Sequence, residues 1–164
     1  MALLQRFAGF VWAAPLTALA LVYVELFTLF GWYKSLGVHG DALVWLADET
    51  KMPNWLMNMW SKWAGHAFGN IVVTKYDPET DKGRITLRHE QEHVSQCSRL
   101  GPFMPFLYAI SWLTIKIACK NSSPYYSHPL EIDARRAAGQ VIDVEGVLDR
   151  ARKAGVAETL LQKR

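Results

Sequence analysis

The first fifth of the chain contains a long uncharged stretch, which limits the folds open to this sequence more than any other feature. Residues Phe7 to Val24 carry no acidic or basic side chain, and after Glu25 the segment from Leu26 to Tyr33 is again mostly apolar. About eighteen such residues, wound as a helix, can cross the hydrocarbon core of a bilayer. The stretch therefore predicts an N-terminal hydrophobic segment, residues 1–35, that is transmembrane or embedded in a membrane.

Two other interpretations of this segment remain open. A signal peptide would end at a small-residue site such as Ala18-Leu19-Ala20, but the apolar character continues well past that site. The segment could also be a helix that packs on a soluble domain. Arg6 and Lys34 place one positive charge on each side, so the flanking charges do not predict an orientation.

Length and charge restrict the remaining classes. A chain of 164 residues is long enough for one domain with an appendage, and we expect residues 36–164 to form that domain. The net charge is only +3, and no run of Lys and Arg with interleaved aromatics occurs, so nucleic acid is not an expected partner. The two cysteines do not make a disulfide framework.

The segment His89-Glu90-Gln91-Glu92-His93 has the pattern H-E-x-x-H. On a helix, positions i and i+4 share one face, so both imidazoles could bind a single metal ion. Glu90 would then lie beside the remaining coordination position, where a carboxylate can accept a proton from water. This is the arrangement of zinc peptidases. The alternative is a surface helix whose two histidines face solvent.

A catalytic zinc usually has three protein ligands, so a third ligand is expected from another element. Glu131 is the best candidate, because it falls in the first turn of a helix that we predict to begin at Pro129, with Ser127 or His128 in the cap region. An acid in a first turn is also favoured by the helix dipole alone. Cys97 follows His93 by four positions and could supply a thiolate, although a small buried residue is the more common role.

The segments around the motif give further expectations. Ala67 to Tyr76 is rich in β-branched residues and predicts a strand. The motif helix is expected to begin near Thr86 as its N-cap and to end at Leu100 before Gly101. Other helices are predicted within three segments: Leu43 to Lys62 (one or two short helices broken near Pro53), Phe103 to Cys119 (buried or entering the membrane), and Leu130 to Lys153 (with Gly139 and Gly146 as candidate breaks or bends).

These motifs resemble the gluzincin branch of the zincin metallopeptidases, in which HExxH is followed by a glutamate on a second helix. The similarity covers about residues 65–139, and Arg135 departs from one short form that has an acid at that position. The matching segments are His93-Val94-Ser95-Gln96, Gly101-Pro102, Tyr125-Tyr126 and Glu131-Ile132-Asp133-Ala134.

The resemblance implies a mostly helical α+β fold. It would be a minimal zincin-like domain with a short hairpin or small sheet, an active-site helix and a glutamate helix, preceded by the hydrophobic helix. It implies Zn²⁺ held by His89, His93 and Glu131, with Glu90 as general base. Candidate donors to the reaction's oxyanion are Tyr126, His128 and Tyr125, with Tyr108 a weaker candidate.

The expected function is a membrane-associated, zinc-dependent metallopeptidase that acts on a peptide or protein, with membrane lipid as a second partner. The alternative is a catalytically silent zincin-like domain that serves as a binding or assembly component. A third interpretation is a redox metal at the histidine pair, since two histidines and a carboxylate also suit iron or manganese. The sequence predicts neither the substrate, nor the side of the membrane, nor the oligomeric state.

Overall fold

A computed structural model describes residues 2–118 and 123–142 of the chain. The described residues form a mostly helical α+β structure with a four-stranded mixed sheet and an N-terminal apolar helix, which confirms the predicted α+β class. The predicted zincin-like arrangement of these elements stays a prediction. The chain divides into two compact units, Met1–Met104 and Pro105–Arg164, and each is described by itself. The predicted division into a membrane segment and a domain at residue 35 stays a prediction.

The first unit contains three helices and the whole sheet. The elements are α1 (Ala2–Leu29), β1 (Tyr33–His39), β2 (Ala42–Ala47), α2 (Asn54–Trp60), β3 (Gly65–Phe68), β4 (Ile71–Thr74) and α3 (Asp81–Leu100), followed by a 3₁₀ turn (Gly101–Phe103). The strands lie in the order β1-β2-β4-β3, so β1 and β3 are the outer strands. Strand β2 is parallel to β4, and the other neighbours are antiparallel.

Two of the sequence predictions for this unit were wrong in part. The segment Leu43 to Lys62 begins with strand β2, although α2 follows after Pro53 as expected. Strand β2 is central and largely buried, and the period of such an apolar run cannot distinguish a strand from a helix. The strand predicted from Ala67 to Tyr76 is instead most of a hairpin, because Gly69 turns the chain with a φ of 62°.

The sheet has an apolar cluster on each face. One cluster contains residues of α1, α2 and the sheet, and the other contains strand residues together with two residues of α3. The buried members of the first are Ala20, Val24, Tyr33, Trp45, Ala47, Met52, Leu56, Trp60, Ile71 and Val73; those of the second are Ala42, Val44, Val72, Leu87 and Val94.

Helix α1 packs on this unit along most of its length. Near its middle, the Thr17 hydroxyl accepts a hydrogen bond from the backbone N–H of Asn70 at 3.0 Å, at the tip of the β3–β4 hairpin. Nearer its start, a Cβ added to Gly9 would lie 2.9 Å from the side chain of Ser98 on α3. Glycine at 101 likewise leaves room for the indole of Trp12. One face of α1 is therefore an inner surface of the fold.

The opposite face of α1 is apolar and exposed in the structure. Within the part of the chain that the structure describes, two helical stretches are long and apolar enough to span a membrane by length and composition, Phe7–Leu29 and Asp81–Ala118. The exposed apolar residues of the outer face of α1 are Leu4, Phe7, Val11, Leu19, Val22, Leu26 and Leu29.

Helix α3 carries the HExxH motif and begins earlier than predicted. Thr80, not Thr86, is its N-cap, because the Thr80 hydroxyl accepts a hydrogen bond from the N–H of Gly83 at 3.0 Å. Thr86 lies inside the helix, where its hydroxyl donates to the carbonyl of Lys82. The predicted end at Leu100 is confirmed, since Gly101 adopts a φ of 57° there.

His66 on β3 is enclosed by aromatic side chains, and we expect it to make the stability of the fold depend on pH. Tyr23 is hydrogen-bonded to its Nε2, and the ring of Trp60 lies 4.9 Å away. Burial lowers the pKa of His66 to about 4, whereas an unfolded histidine titrates near 6.5. Below pH 6.5 the unfolded chain thus binds a proton that the folded chain does not.

The free energy of unfolding should therefore fall as the pH drops from about 6.5 to about 4, by roughly 3 kcal/mol in total. Urea titrations across this range would measure the fall in the parent and in the His66→Gln variant. The variant should lose most of the dependence in this window. Equal slopes for the two proteins would show that His66 does not cause it.

The second unit contains helices α4 (Met104–Ala118), α5 (Pro124–Ser127) and α6 (Pro129–Ala137). The boundary between the units falls after Met104, the first residue of α4. The predicted start of α6 at Pro129 is confirmed, with His128 as the N-cap. Helix α6 ends at Ala137, just before Gly139 adopts a φ of 68°, so the segment predicted as helical from Leu130 breaks at the first of its two candidate glycines. The continuation predicted for residues 143–153, like Cys119, lies outside the described residues.

Candidate metal centre

The two motif histidines face each other across one turn of α3. Both are buried, with 8% of His89 and 7% of His93 exposed, and their Nε2 atoms lie 3.3 Å apart. Two nitrogens that share a tetrahedral zinc at about 2.0–2.1 Å are separated by about 3.3–3.4 Å. The histidine pair therefore has the spacing that a shared zinc ion requires, and a solvent-facing pair, the alternative interpretation, is wrong.

Gln96 holds the ring of His93 in a defined orientation. Its Oε1 lies 2.8 Å from Nδ1 of His93, and only 2% of the glutamine is exposed. An amide oxygen can only accept, so this contact requires the proton to be on Nδ1. Nε2 of His93 then carries the lone pair that binds a metal, which is the usual arrangement of a ligating histidine and its hydrogen-bond partner.

Glu131 lies in the first turn of α6, as predicted, and 4% of it is exposed. His89 and His93 belong to the first unit and Glu131 to the second, and all three residues are buried. A buried group of two imidazoles and one carboxylate could hold a metal ion. The donor set suits zinc, and it is also compatible with iron or manganese, so the identity of the metal is not shown.

Glu90 lies against the outer strand of the sheet. The residue is buried, and a Cβ added to Gly65 on β3 would lie 3.1 Å from its Oε1 and 2.9 Å from the carbonyl oxygen of Val73. A side chain at position 65 would therefore press on the Glu90 carboxylate. Glycine here lets the strand approach the predicted general base closely, a requirement that no pattern in the sequence revealed.

The structure gives the three candidate oxyanion donors near Glu131 different surroundings. His128 is fully buried, and its Nδ1 accepts a hydrogen bond from the N–H of Leu130 at 3.2 Å, as a helix cap. Tyr126 is 54% exposed, and its ring lies 4.4 Å from the guanidinium of Arg135. Partial burial, followed by the charge of Glu131, raises the pKa of Tyr125 to about 12, so its phenol is protonated at neutral pH.

Cys97 does not join the described group of metal-ligand candidates. It is buried, and its thiol interacts with the backbone of Gly69 at the hairpin turn. Among the described residues, the candidates that could hold a metal ion are His89, His93 and Glu131. The structural role for Cys97 thus has more support than the thiolate role.

Two neighbours of the group were not predicted to be positioning residues. Gln96 is three positions after His93, and this spacing on a helix could have identified it. Tyr108 donates a hydrogen bond to Oε1 of Glu131, and no local pattern links residues that are so far apart in the sequence.

Comparison of the chain with family models, curated proteins and solved structures found no match.

Proposed function

We propose that this protein is a membrane-associated, zinc-dependent metallopeptidase that hydrolyses bonds in a peptide or protein. The observation that carries the proposal is the 3.3 Å separation of the two buried Nε2 atoms on α3. In the proposed site His89, His93 and Glu131 hold the ion. Zinc, when bound, supplies a Lewis acid that polarises the peptide carbonyl and makes water more acidic.

The remaining chemistry belongs to the side chains of the chain itself. Glu90 is the proposed general base, which accepts a proton from the attacking water and passes it to the leaving amine. Tyr125 and Tyr126 remain the proposed donors to the oxyanion, because their phenols stand close to Glu131 in the sequence and Tyr125 stays protonated at neutral pH. His128 is a weaker candidate, since its ring nitrogens already bind backbone groups.

Strand β3 offers a place for an extended substrate. It is an outer strand of the sheet, it contains Gly65 beside Glu90, and only one of its edges pairs with another strand of the described sheet. An extended peptide can add to such an edge through main-chain hydrogen bonds. A substrate bound there would run past the Glu90 carboxylate.

Replacing Gly65 by alanine tests whether cleavage depends on the close approach of β3 to Glu90, independently of metal binding. The new Cβ would meet Oε1 of Glu90 and the carbonyl oxygen of Val73, so the strand or the carboxylate must shift. We expect proteolytic activity to fall at least tenfold while zinc stoichiometry is unchanged, since small displacements of a reacting group slow catalysis strongly. Unchanged activity in the Gly65→Ala variant would argue against a requirement for this close approach.

The packing of α1 favours a helix that lies in the membrane surface over a helix that crosses the bilayer alone. If α1 crossed the bilayer alone, hydrocarbon would surround its middle, yet Thr17 contacts the hairpin tip of an open sheet. Open sheet edges leave backbone groups unpaired, which is not tolerated in the hydrocarbon region. Exposed Arg88 and Arg99 on α3 would also be costly there. We therefore propose that α1 lies in the membrane surface with its outer face in lipid.

Aspartate on the outer face of α1 should release the protein from membranes. Leu19 and Val22 are 64% and 71% exposed, so Leu19→Asp with Val22→Asp should leave the fold intact. A charged residue in lipid costs roughly 2.5–3.5 kcal/mol, so we expect flotation with vesicles to fall more than tenfold. Ile85→Asp, at an exposed apolar position on α3, is the matched control and should float like the parent. Retained flotation of the α1 variant would contradict lipid contact at this face.

The peptidase itself is tested with the full chain purified in detergent. We expect it to contain about one zinc ion per chain and to cleave an unstructured protein, with cleavage lost in a chelator and restored by added zinc. A chain that holds zinc and cleaves no unstructured protein would favour the catalytically silent alternative.

A further inference from the structure

The carboxylate of Glu131 is held by a tyrosine from a different helix of the second unit. The hydroxyl of Tyr108, on α4, donates a hydrogen bond to Oε1 of Glu131, on α6, at 2.9 Å. Glu131 is buried and the bond itself is partly buried, so it constrains the rotation of the carboxylate.

A buried histidine fixes the two helices that form this bond. The ring of His128 stacks on the ring of Tyr108, with centroids 4.1 Å apart, and its Nε2 lies 3.1 Å from the backbone oxygen of Tyr108. Its Nδ1 accepts from the N–H of Leu130, the residue before Glu131. Because Nδ1 accepts, Nε2 carries the proton and donates to Tyr108. The tyrosine is thus held at both its ring and its backbone while its hydroxyl holds the glutamate.

We propose that Tyr108 is the positioning residue for the metal ligand Glu131, through the hydrogen bond from its hydroxyl to Oε1. The inference rests on the proposed metal site, because it assigns a role within that site. The outer partners of metal ligands typically contribute 10–100-fold in metal affinity. Tyr108 itself touches neither the substrate nor the reacting atoms in this assignment.

The test is the Tyr108→Phe variant of the full chain in detergent, titrated with zinc against a competing chelator. Phenylalanine keeps the ring that stacks on His128 and removes only the hydroxyl. Zinc affinity should fall roughly 10–100-fold, while the melting temperature of the metal-free protein stays close to that of the parent. The absorption spectrum of bound Co²⁺ should also change, since the ligand field reports the carboxylate. Tyr76→Phe, which removes a phenol hydroxyl near Lys82, is the matched control and should bind like the parent.

A second measurement distinguishes positioning from general support of the fold. In a Glu131→Ala background, Tyr108→Phe should change zinc affinity by less than about twofold, because its partner is gone. An equal loss in both backgrounds would overturn the inference. Parent-like affinity and Co²⁺ spectrum in Tyr108→Phe would also overturn it and would leave the proposed function standing. A parent that binds no zinc would overturn the proposed function, and this inference with it.

Discussion

Replacing Glu90 by glutamine is expected to lower the rate of peptide cleavage by at least 10²-fold while leaving about one zinc ion bound per chain. The amide is nearly the same size as the carboxylate, so the contact with Gly65 should persist. It cannot accept the proton from water, and general base catalysis contributes typically 10²–10⁴-fold. Cleavage of an unstructured protein and the zinc content of the same preparation would be measured together.

Glu92→Gln is the matched control for this prediction. Glu92 lies two positions further along α3 and forms an ion pair at 2.5 Å with Arg99, whose side chain is 62% exposed. An exposed pair of this kind stabilises a protein by no more than about 1 kcal/mol. We expect Glu92→Gln to retain near-parental activity. Cleavage by Glu90→Gln at the parent's rate would remove Glu90 from the mechanism.

The second large effect is expected from His93→Ala, which should weaken zinc binding by well over 100-fold and abolish cleavage. The loss should exceed the 10–100-fold effect of removing a partner of a ligand, because the variant removes a ligand itself. His93 also binds Gln96, so the glutamine would lose its partner and the metal-free protein should be less stable. Competition with a chelator would measure the affinity, and thermal unfolding the stability.

His39→Ala is the control for the loss of an imidazole. Gln91 contacts the backbone carbonyl of His39, so alanine preserves that hydrogen bond. We expect parental zinc affinity and activity from this variant. If His39→Ala and His93→Ala lost zinc to the same extent, the loss would reflect general unfolding and not the removal of a ligand.

The sequence predicted those parts of the candidate site that depend on local spacing. His89 and His93 are one helical turn apart, and a turn forms in the same way wherever the helix packs. Glu131 was identified because Pro129 marks the start of its helix. Gly101 marked the end of α3 for a similar local reason, since glycine readily adopts the positive φ found there.

The other parts depend on contacts between residues that are distant in sequence. Strand β2 was mistaken for a helix, since its neighbours in the sheet, and not its own pattern, determine its conformation. The hydrogen bond from Tyr108 to Glu131 joins two helices, and no spacing rule connects them. The close approach of Gly65 to Glu90 could not be seen for the same reason. The sequence did not identify which face of α1 packs inward, because the helix is apolar on both sides.

His89, His93 and Glu131 are the proposed ligands of a zinc ion. X-ray absorption at the zinc edge, on the full chain with one equivalent of zinc, tests this assignment most directly. We expect two imidazole nitrogens and a carboxylate oxygen at about 2.0–2.2 Å, no sulfur ligand, and the loss of one imidazole in His93→Ala. A spectrum with a sulfur at about 2.3 Å, or one that is unchanged by His93→Ala, would contradict the assignment.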